Sequence, residues 1–211
     1  MSWSCAIIWR RFAASLVVIT GLTGCAAPAV QRHAQDKLLE RYILEARFGL
    51  RDGREAGTAF QGRVQWQHSV DGDRVMVRDP LGGGVAELTA HPAGARLVMA
   101  NGDVNEASDA PGLMQALTGV PLPVRSIARW LTGRNLSEPG RDGAARVLRD
   151  ALGRPVSFQS GGWKIEYGYE GDAPSDADLL PSRVFARNDS GIELRMAIEE
   201  WQLDRAPASP Q

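Results

Sequence analysis

Leu44-Glu45-Ala46-Arg47-Phe48-Gly49-Leu50-Arg51 is the stretch whose reading decides the fold. Leu44, Ala46, Phe48 and Leu50 alternate with Glu45, Arg47, Gly49 and Arg51. A period of two places the apolar set on one face of a strand and the polar set on the other. Asp52-Gly53 signals a turn, and the period returns at Phe60, Gly62, Val64 and Trp66 against Gln61, Arg63, Gln65 and Gln67. Asp71-Gly72-Asp73 turns the chain again, into predicted strands over 73–78, 85–90 and 95–100. Further strands are predicted near 146–150 and 155–159. Trp163, Ile165, Tyr167 and Tyr169 alternate with Lys164, Glu166 and Gly168. Val184 and Ala186 mark another strand. Ile192, Leu194, Met196 and Ile198 alternate with Glu193, Arg195 and Glu199 in the last, and Trp201 and Leu203 close the ordered part.

The helical signals are few. Asp109 is an N-cap candidate with Pro111 in the first turn, and Leu113, Met114 and Leu117 form an apolar face. Gly119 ends that helix, and Pro121 and Pro123 forbid its continuation. A second short helix is predicted over 124–131, with Ile127, Trp130 and Leu131 apolar. Val30, Ala34, Leu38 and Tyr42 recur at i, i+4 and predict a third over about 30–42. Residues 132–145 and 171–178 read as loops. Many strands at hairpin spacing make one large antiparallel sheet, and so wide a twisted sheet curls. The expected fold is mainly β: a curled antiparallel sheet forming an incomplete barrel of about 10–11 strands, with two or three short helices packed over its open side.

Composition agrees with such a domain and excludes other classes. The 211 residues are 44% hydrophobic and 23% charged, close to the globular average. The net charge of −1 offers no basic excess for nucleic acid. The two cysteines, Cys5 and Cys25, both fall in the first 25 residues, which removes thiolate metal sites and cysteine nucleophiles from the body. Arg10-Arg11, an apolar run from Phe12 to Leu22 too short to span a bilayer, and Leu22-Thr23-Gly24-Cys25 have the layout of a bacterial lipoprotein signal. Cys25 is then the expected lipid attachment site. Loss of residues 1–24 takes away Arg10 and Arg11 but no acid, so the charge becomes −3. Ala26 after the cysteine fits export to the outer membrane. The expected organisation is a signal peptide over 1–24, a lipidated N-terminus and tether over 25–35, one domain over 36–204 and a tail over 205–211.

Catalytic signals are weak. No phosphate-binding glycine motif lies at a strand-to-helix junction, and Gly82-Gly83-Gly84 reads as a hairpin. His33, His68 and His91 lack metal-ligand spacing and read as exposed polar residues. Strand alternation is expected to send Glu199 and Glu200 to opposite faces. No catalytic residue, metal or cofactor is expected beyond the covalent lipid on Cys25. Bulky apolar residues on one side of the strands and helices are the stronger feature: Phe48, Phe60, Trp66, Leu88, Leu97, Met99, Leu113, Leu117, Trp130, Trp163, Ile165, Leu194, Met196 and Ile198. Either they fill a core or they line an acyl cavity, and the pattern alone leaves both open.

From about residue 40 to 203 the chain resembles the LolB family of outer-membrane lipoprotein receptors. The matching pieces are Val64-Gln65-Trp66-Gln67, Asp79-Pro80-Leu81-Gly82, Leu117-Thr118-Gly119-Val120-Pro121-Leu122-Pro123-Val124 with Trp130-Leu131-Thr132-Gly133, Gly162-Trp163-Lys164-Ile165-Glu166-Tyr167, and Ile198-Glu199-Glu200-Trp201. Asp79 departs from the Asn or Ser that the family often has there. The resemblance implies that the helices form a lid over an apolar cavity for the acyl chains of cargo lipoproteins, and a partner, a soluble periplasmic carrier like LolA. It also implies a protruding membrane-insertion loop at Pro80, Leu81 and Gly82, facing the inner leaflet of the outer membrane. No nucleic acid is expected as a partner, and the chain is expected to be a monomer. Arg63, Arg74, Arg78, Arg125, Arg129 and Arg134 are candidates for a basic rim that docks the carrier. Two other readings stay open from the residues: a lipoprotein of the same fold without cargo, and a lipid-modifying enzyme.

Overall fold

The alternating stretches pair into one continuous sheet. The computed structural model describes residues 40–53, 59–133, 136, 146–170 and 180–203. Eleven strands follow in chain order: β1 (Tyr42–Asp52), β2 (Ala59–Ser69), β3 (Gly72–Arg78), β4 (Gly84–His91), β5 (Gly94–Met99), β6 (Val104–Ala107), β7 (Arg146–Arg149), β8 (Pro155–Ser160), β9 (Trp163–Gly168), β10 (Arg183–Asn188) and β11 (Ile192–Leu203). Two helices, α1 (Ala110–Thr118) and α2 (Val124–Leu131), lie between β6 and β7 in the chain.

All pairs are antiparallel, in the order β6-β5-β4-β3-β2-β1-β11-β10-β9-β8-β7. β1 pairs with both β2 and β11, so the first and last strands meet at the centre. The edges, β6 and β7, do not pair with each other, and the sheet is not closed.

One face of the sheet is apolar along its length. Leu44, Leu50, Val75, Leu88, Leu97, Ile165 and Leu194 are all buried on it. The helices cover this face. α1 packs against β5 and β6, and α2 against β3. From the other half of the sheet, the Trp163 ring of β9 meets Trp130 of α2 at 5.6 Å. Both halves thus reach the same helices, which requires the sheet to curl around them.

Hydrogen bonds fix α2 in place. The Tyr42 hydroxyl of β1 donates to the Ala128 carbonyl at 2.6 Å, and the Tyr167 hydroxyl of β9 donates to the Trp130 carbonyl at 3.0 Å. These carbonyls belong to the last turn of α2, where the regular helix ladder runs out, and the Trp130 carbonyl also accepts the Gly133 N–H at 2.9 Å. α1 closes its own ends. The Asp109 carboxylate accepts the Gly112 N–H at 3.3 Å, and Gly119 caps the C-terminus in the left-handed region at φ 78°.

The structure corrects several expectations. Tyr42 is not in a helix: it opens β1 with its ring buried, Glu40 and Arg41 form a bend before it, and residues 30–39 of the expected helix lie outside the described residues. β6 was not foreseen, because Val104-Asn105-Glu106-Ala107 carries no alternation and forms only by pairing with β5. His68 is not exposed. Its Nδ1 lies 2.7 Å from Asp73 Oδ1, its ring packs 5.0 Å from Tyr42, and Trp66 Nε1 donates to the same oxygen at 2.8 Å. The buried Asp73 carboxylate needs such partners. Glu199 and Glu200 do not take opposite faces. A bulge leaves Glu199 as the extra residue of β11, bonded to Arg47 and Arg63, while Glu200 stands opposite Glu45 on the same outer face.

Replacing Tyr42 by Phe leaves the buried Ala128 carbonyl without the hydroxyl donor, at a cost of about 1–3 kcal/mol, whereas Tyr167→Phe leaves the Trp130 carbonyl with the Gly133 N–H and should cost about 0.5–1.5 kcal/mol, each read as a lower urea midpoint. Burial pushes both phenols up; Asp73 adds to this for Tyr42, and Tyr169 for Tyr167. The unfolded chain therefore ionises first, and stability that is full below about pH 10 falls above it. Between about pH 9 and pH 11 the wild-type midpoint is expected to drop further than that of the Tyr42→Phe/Tyr167→Phe double variant.

Candidate functional site

Between the sheet and the helices lies an apolar cavity. Its walls are Phe48, Phe60, Val64, Trp66, Val75, Val77, Leu194 and Met196 from the strands, with Met114, Thr118, Leu122, Val124 and Ile127 from the helices and their linker. Thr118 is the one polar side chain among them. Its hydroxyl is occupied by the Met114 and Val120 carbonyls, at 2.8 and 3.2 Å. The cavity therefore offers no free polar group, and its volume is about 40 Å³, room for roughly three waters. Phe48 and Phe60 close it at 5.7 Å between ring centroids. Met114 and Met196 face it with long unbranched chains that repack readily.

Of the fourteen expected lining residues, the structure brings five to this wall: Phe48, Phe60, Trp66, Leu194 and Met196. Leu88, Leu97, Leu113, Trp130, Trp163 and Ile165 are instead buried in the surrounding core. Met99, Leu117 and Ile198 are half-buried against it. The period of two told which face they share, but a cavity arises only where facing side chains fail to meet. The wall residues not foreseen are Val64, Val75, Val77, Met114, Thr118, Leu122, Val124 and Ile127. Their signal was available: the valines continue the inward set of β2 and β3, and Met114 and Ile127 sit on the apolar faces of their helices.

The loop between β3 and β4 presents Leu81 to solvent with 98% of its surface exposed. Asp79 holds the loop. Its Oδ1 accepts the N–H of Leu81 at 2.7 Å and of Gly83 at 3.1 Å. Its main chain closes the same turn, with Asp79 N–H donating to the Gly83 carbonyl at 2.8 Å and Gly82 N–H to the Asp79 carbonyl at 3.0 Å. Gly82 takes φ 97°, which a side chain would resist. The charge of Asp79 is thus spent on ordering the loop, with Pro80 and Leu81 at its tip.

The six arginines expected at one rim do not gather there. Arg63, Arg74 and Arg78 lie on the outer face of the sheet, Arg125 and Arg129 are exposed on α2, and Arg134 is outside the described residues. Arg74 is engaged by both carboxylate oxygens of Glu87, at 2.9 Å each. Cys25 is also outside the described residues. Among the described residues no group of three His, Cys, Asp or Glu side chains is placed to hold a metal ion.

Comparison with known proteins agrees over the whole described domain. The family model for outer membrane lipoprotein LolB matches residues 40–201. The outer-membrane lipoprotein LolB of Dechloromonas aromatica is 36% identical over 191 residues, covering 89% of this chain and 95% of that protein. The one from Azoarcus sp. is 34% identical over 199 residues, covering 92% and 97%. Among solved structures, a LolA superfamily protein from Nitrosomonas europaea aligns over 83% of this chain and 94% of its own, at a TM-score of 0.46 and 13% identity. With its open eleven-stranded sheet, covered apolar face and matching sequence, the chain belongs to the outer membrane lipoprotein LolB family.

Proposed function

We propose that the chain, anchored by lipid on Cys25, accepts acylated lipoproteins from a LolA-like periplasmic carrier into the apolar cavity and inserts them into the outer membrane. The observation that carries this reading is the cavity wall, apolar throughout except for one satisfied hydroxyl. Acyl chains need such a wall, since each CH₂ left in water costs about 0.8 kcal/mol. The sequence has no nucleotide-binding motif, so transfer runs downhill from carrier to receptor to bilayer.

Uptake requires the cavity to widen. α2 is latched by Tyr42 and Tyr167, whereas no hydrogen bond joins α1 to a described residue of the sheet. α1 is therefore the element that swings, with Gly119 as its hinge. Leu81 touches the bilayer and aims the cavity at it. The tether permits this: Leu81 and Tyr42 lie toward opposite ends of the central strands, and the seventeen Cα–Cα steps from Cys25 to Tyr42 can span up to about 60 Å.

A second reading, a lipoprotein of the same fold without cargo, draws on the small volume of about 40 Å³. Transfer of a radiolabelled lipoprotein from the soluble carrier to the non-lipidated chain decides between them. Stoichiometric transfer is expected, and none at all would leave the cargo-free reading.

Leu81→Glu is expected to take cargo from the carrier normally but deliver it to liposomes at least tenfold more slowly, since burying one Leu contributes about 1.5–3 kcal/mol. Delivery at the wild-type rate would remove Leu81 from the mechanism. Asp79→Ala loses the acceptor that orders the loop and should slow delivery severalfold with uptake unchanged. Asp79→Asn keeps an oxygen in place and should deliver like wild type.

A further inference from the structure

The outer face of the sheet carries a row of arginines that the cavity does not use. Arg78 of β3 stands opposite Arg63 of β2, and Arg63 opposite Arg47 of β1. The same row continues through Ala197 of β11 to Arg183 of β10. It crosses five strands, about 19 Å. Like charges directly opposite one another weaken a sheet, and a polar neutral residue at any of these positions would avoid that.

The acids nearby answer only part of it. Glu199 lies 2.8 Å from Arg47 Nε and 3.0 Å from Arg63 Nη1, so one carboxylate serves two guanidiniums. Arg183 has Glu170 at 4.0 Å, with both side chains mostly in solvent. Arg78 is exposed and has no acidic partner among the described residues. Where the row crosses Ala197, the small residues Gly49, Ala197 and Gly168 leave an open groove of about 680 Å³. Arg47, Arg183 and Arg195 stand around it with Phe185 between them, and the Arg195 guanidinium lies 5.2 Å from that ring. Glu166 also borders the groove, paired with Lys164, and Glu193 pairs with Arg195 at 3.2 Å.

We infer that this row and its groove bind the headgroups of anionic phospholipids. The chain as a whole has a net charge of −1, so a run of guanidiniums is a property of this face and not of bulk composition. The row begins at Arg78, immediately before the Asp79–Gly83 turn that presents Leu81. An apolar tip followed by a line of guanidiniums meets a bilayer in the order of its own layers, hydrocarbon and then phosphate. The planar fork of arginine matches phosphate oxygens in pairs. A soluble acidic protein would supply charge but nothing to receive Leu81. The inference rests on the reading that Leu81 enters a bilayer, and adds the lipid class that the adjoining face selects.

The test uses the chain from Ala26 without its lipid, which keeps every described strand and helix. Its sedimentation is measured with vesicles of phosphatidylcholine alone and of phosphatidylcholine mixed with phosphatidylglycerol. Wild type is expected to partition more strongly onto the mixed vesicles, and salt should erase the difference. Arg47→Gln/Arg78→Gln/Arg183→Gln should lower partition onto mixed vesicles on the order of 100-fold, about fivefold per arginine, without changing it on neutral ones. Arg78→Gln/Arg183→Gln leaves the Glu199 bridge intact and should lower it about 25-fold, which controls for any effect of Arg47 on folding. Leu81→Glu should lower partition onto both kinds of vesicle. Equal wild-type binding to both kinds, or arginine variants that bind mixed vesicles like wild type, overturns the inference. Arginine variants that keep vesicle binding but lose cargo uptake from the carrier assign the row to an acidic protein and also overturn it. If Leu81→Glu alone has no effect, the Leu81 reading fails and the arginine row stands.

Discussion

An antiparallel sheet of eleven strands with one apolar face has to bury that face, and among the described residues two short helices cover it. α1 has nine residues and α2 has eight. That cover governs the arrangement of the described residues. The sheet curls until both halves reach the helices, because a flat sheet would leave most of the face in water. The two tyrosines then convert contact into fixed geometry. Each hydroxyl spends its hydrogen bond on a carbonyl of the α2 last turn, so sheet and helix satisfy one another's buried polar groups. The cavity is what remains where the curl and the helices do not quite meet.

The outer face answers to different rules. Its side chains stand in water, so neither packing nor burial dictates them, and ion pairs there contribute little to stability. The β11 bulge nevertheless places Glu199 where one carboxylate reaches two arginines. The inner and outer faces of β1, β2 and β11 thus carry separate tasks on the same strands, apolar enclosure within and charge without. Leu81 and Asp79 join them at the β3–β4 turn, where the chain passes from an outer arginine to an exposed leucine within three residues.

The fold was legible in the sequence wherever alternation was strong. Leu44 to Leu50 and Trp163 to Tyr167 name their own faces, and turn residues fix their hairpins. Legibility failed where alternation stops. β6 carries almost no apolar signal and exists through its pairing with β5. Tyr42 fits an i, i+4 series and a strand equally well, and its pairing with His68 and Leu203, together with the Ala128 carbonyl across the core, decides for the strand. His68 looked like a turn residue because its partner Asp73 is buried by tertiary packing, which local sequence does not encode. The cavity wall was half legible for a related reason. Period gives the face, but whether Leu88 ends in a core or at a void depends on what the helices bring opposite it.

The small cavity has an energetic consequence for the proposed transfer. A receptor in a downhill sequence must hold acyl chains more tightly than the carrier and less tightly than the bilayer. A rigid, empty and well-shaped apolar pocket would approach the bilayer in affinity and retain its cargo. Here the walls already touch: Phe48 meets Phe60, and Met114 and Met196 fill the space between sheet and helices. An entering chain gains its own burial but must first separate side chains that were buried against each other. The difference is what the receptor retains as binding energy, and it is smaller than full transfer into hydrocarbon. When cargo leaves, the same side chains close again and recover their contacts, which favours release. A nearly filled cavity with unbranched, adaptable walls is therefore the form that lets a receptor take up lipid and still surrender it to the membrane.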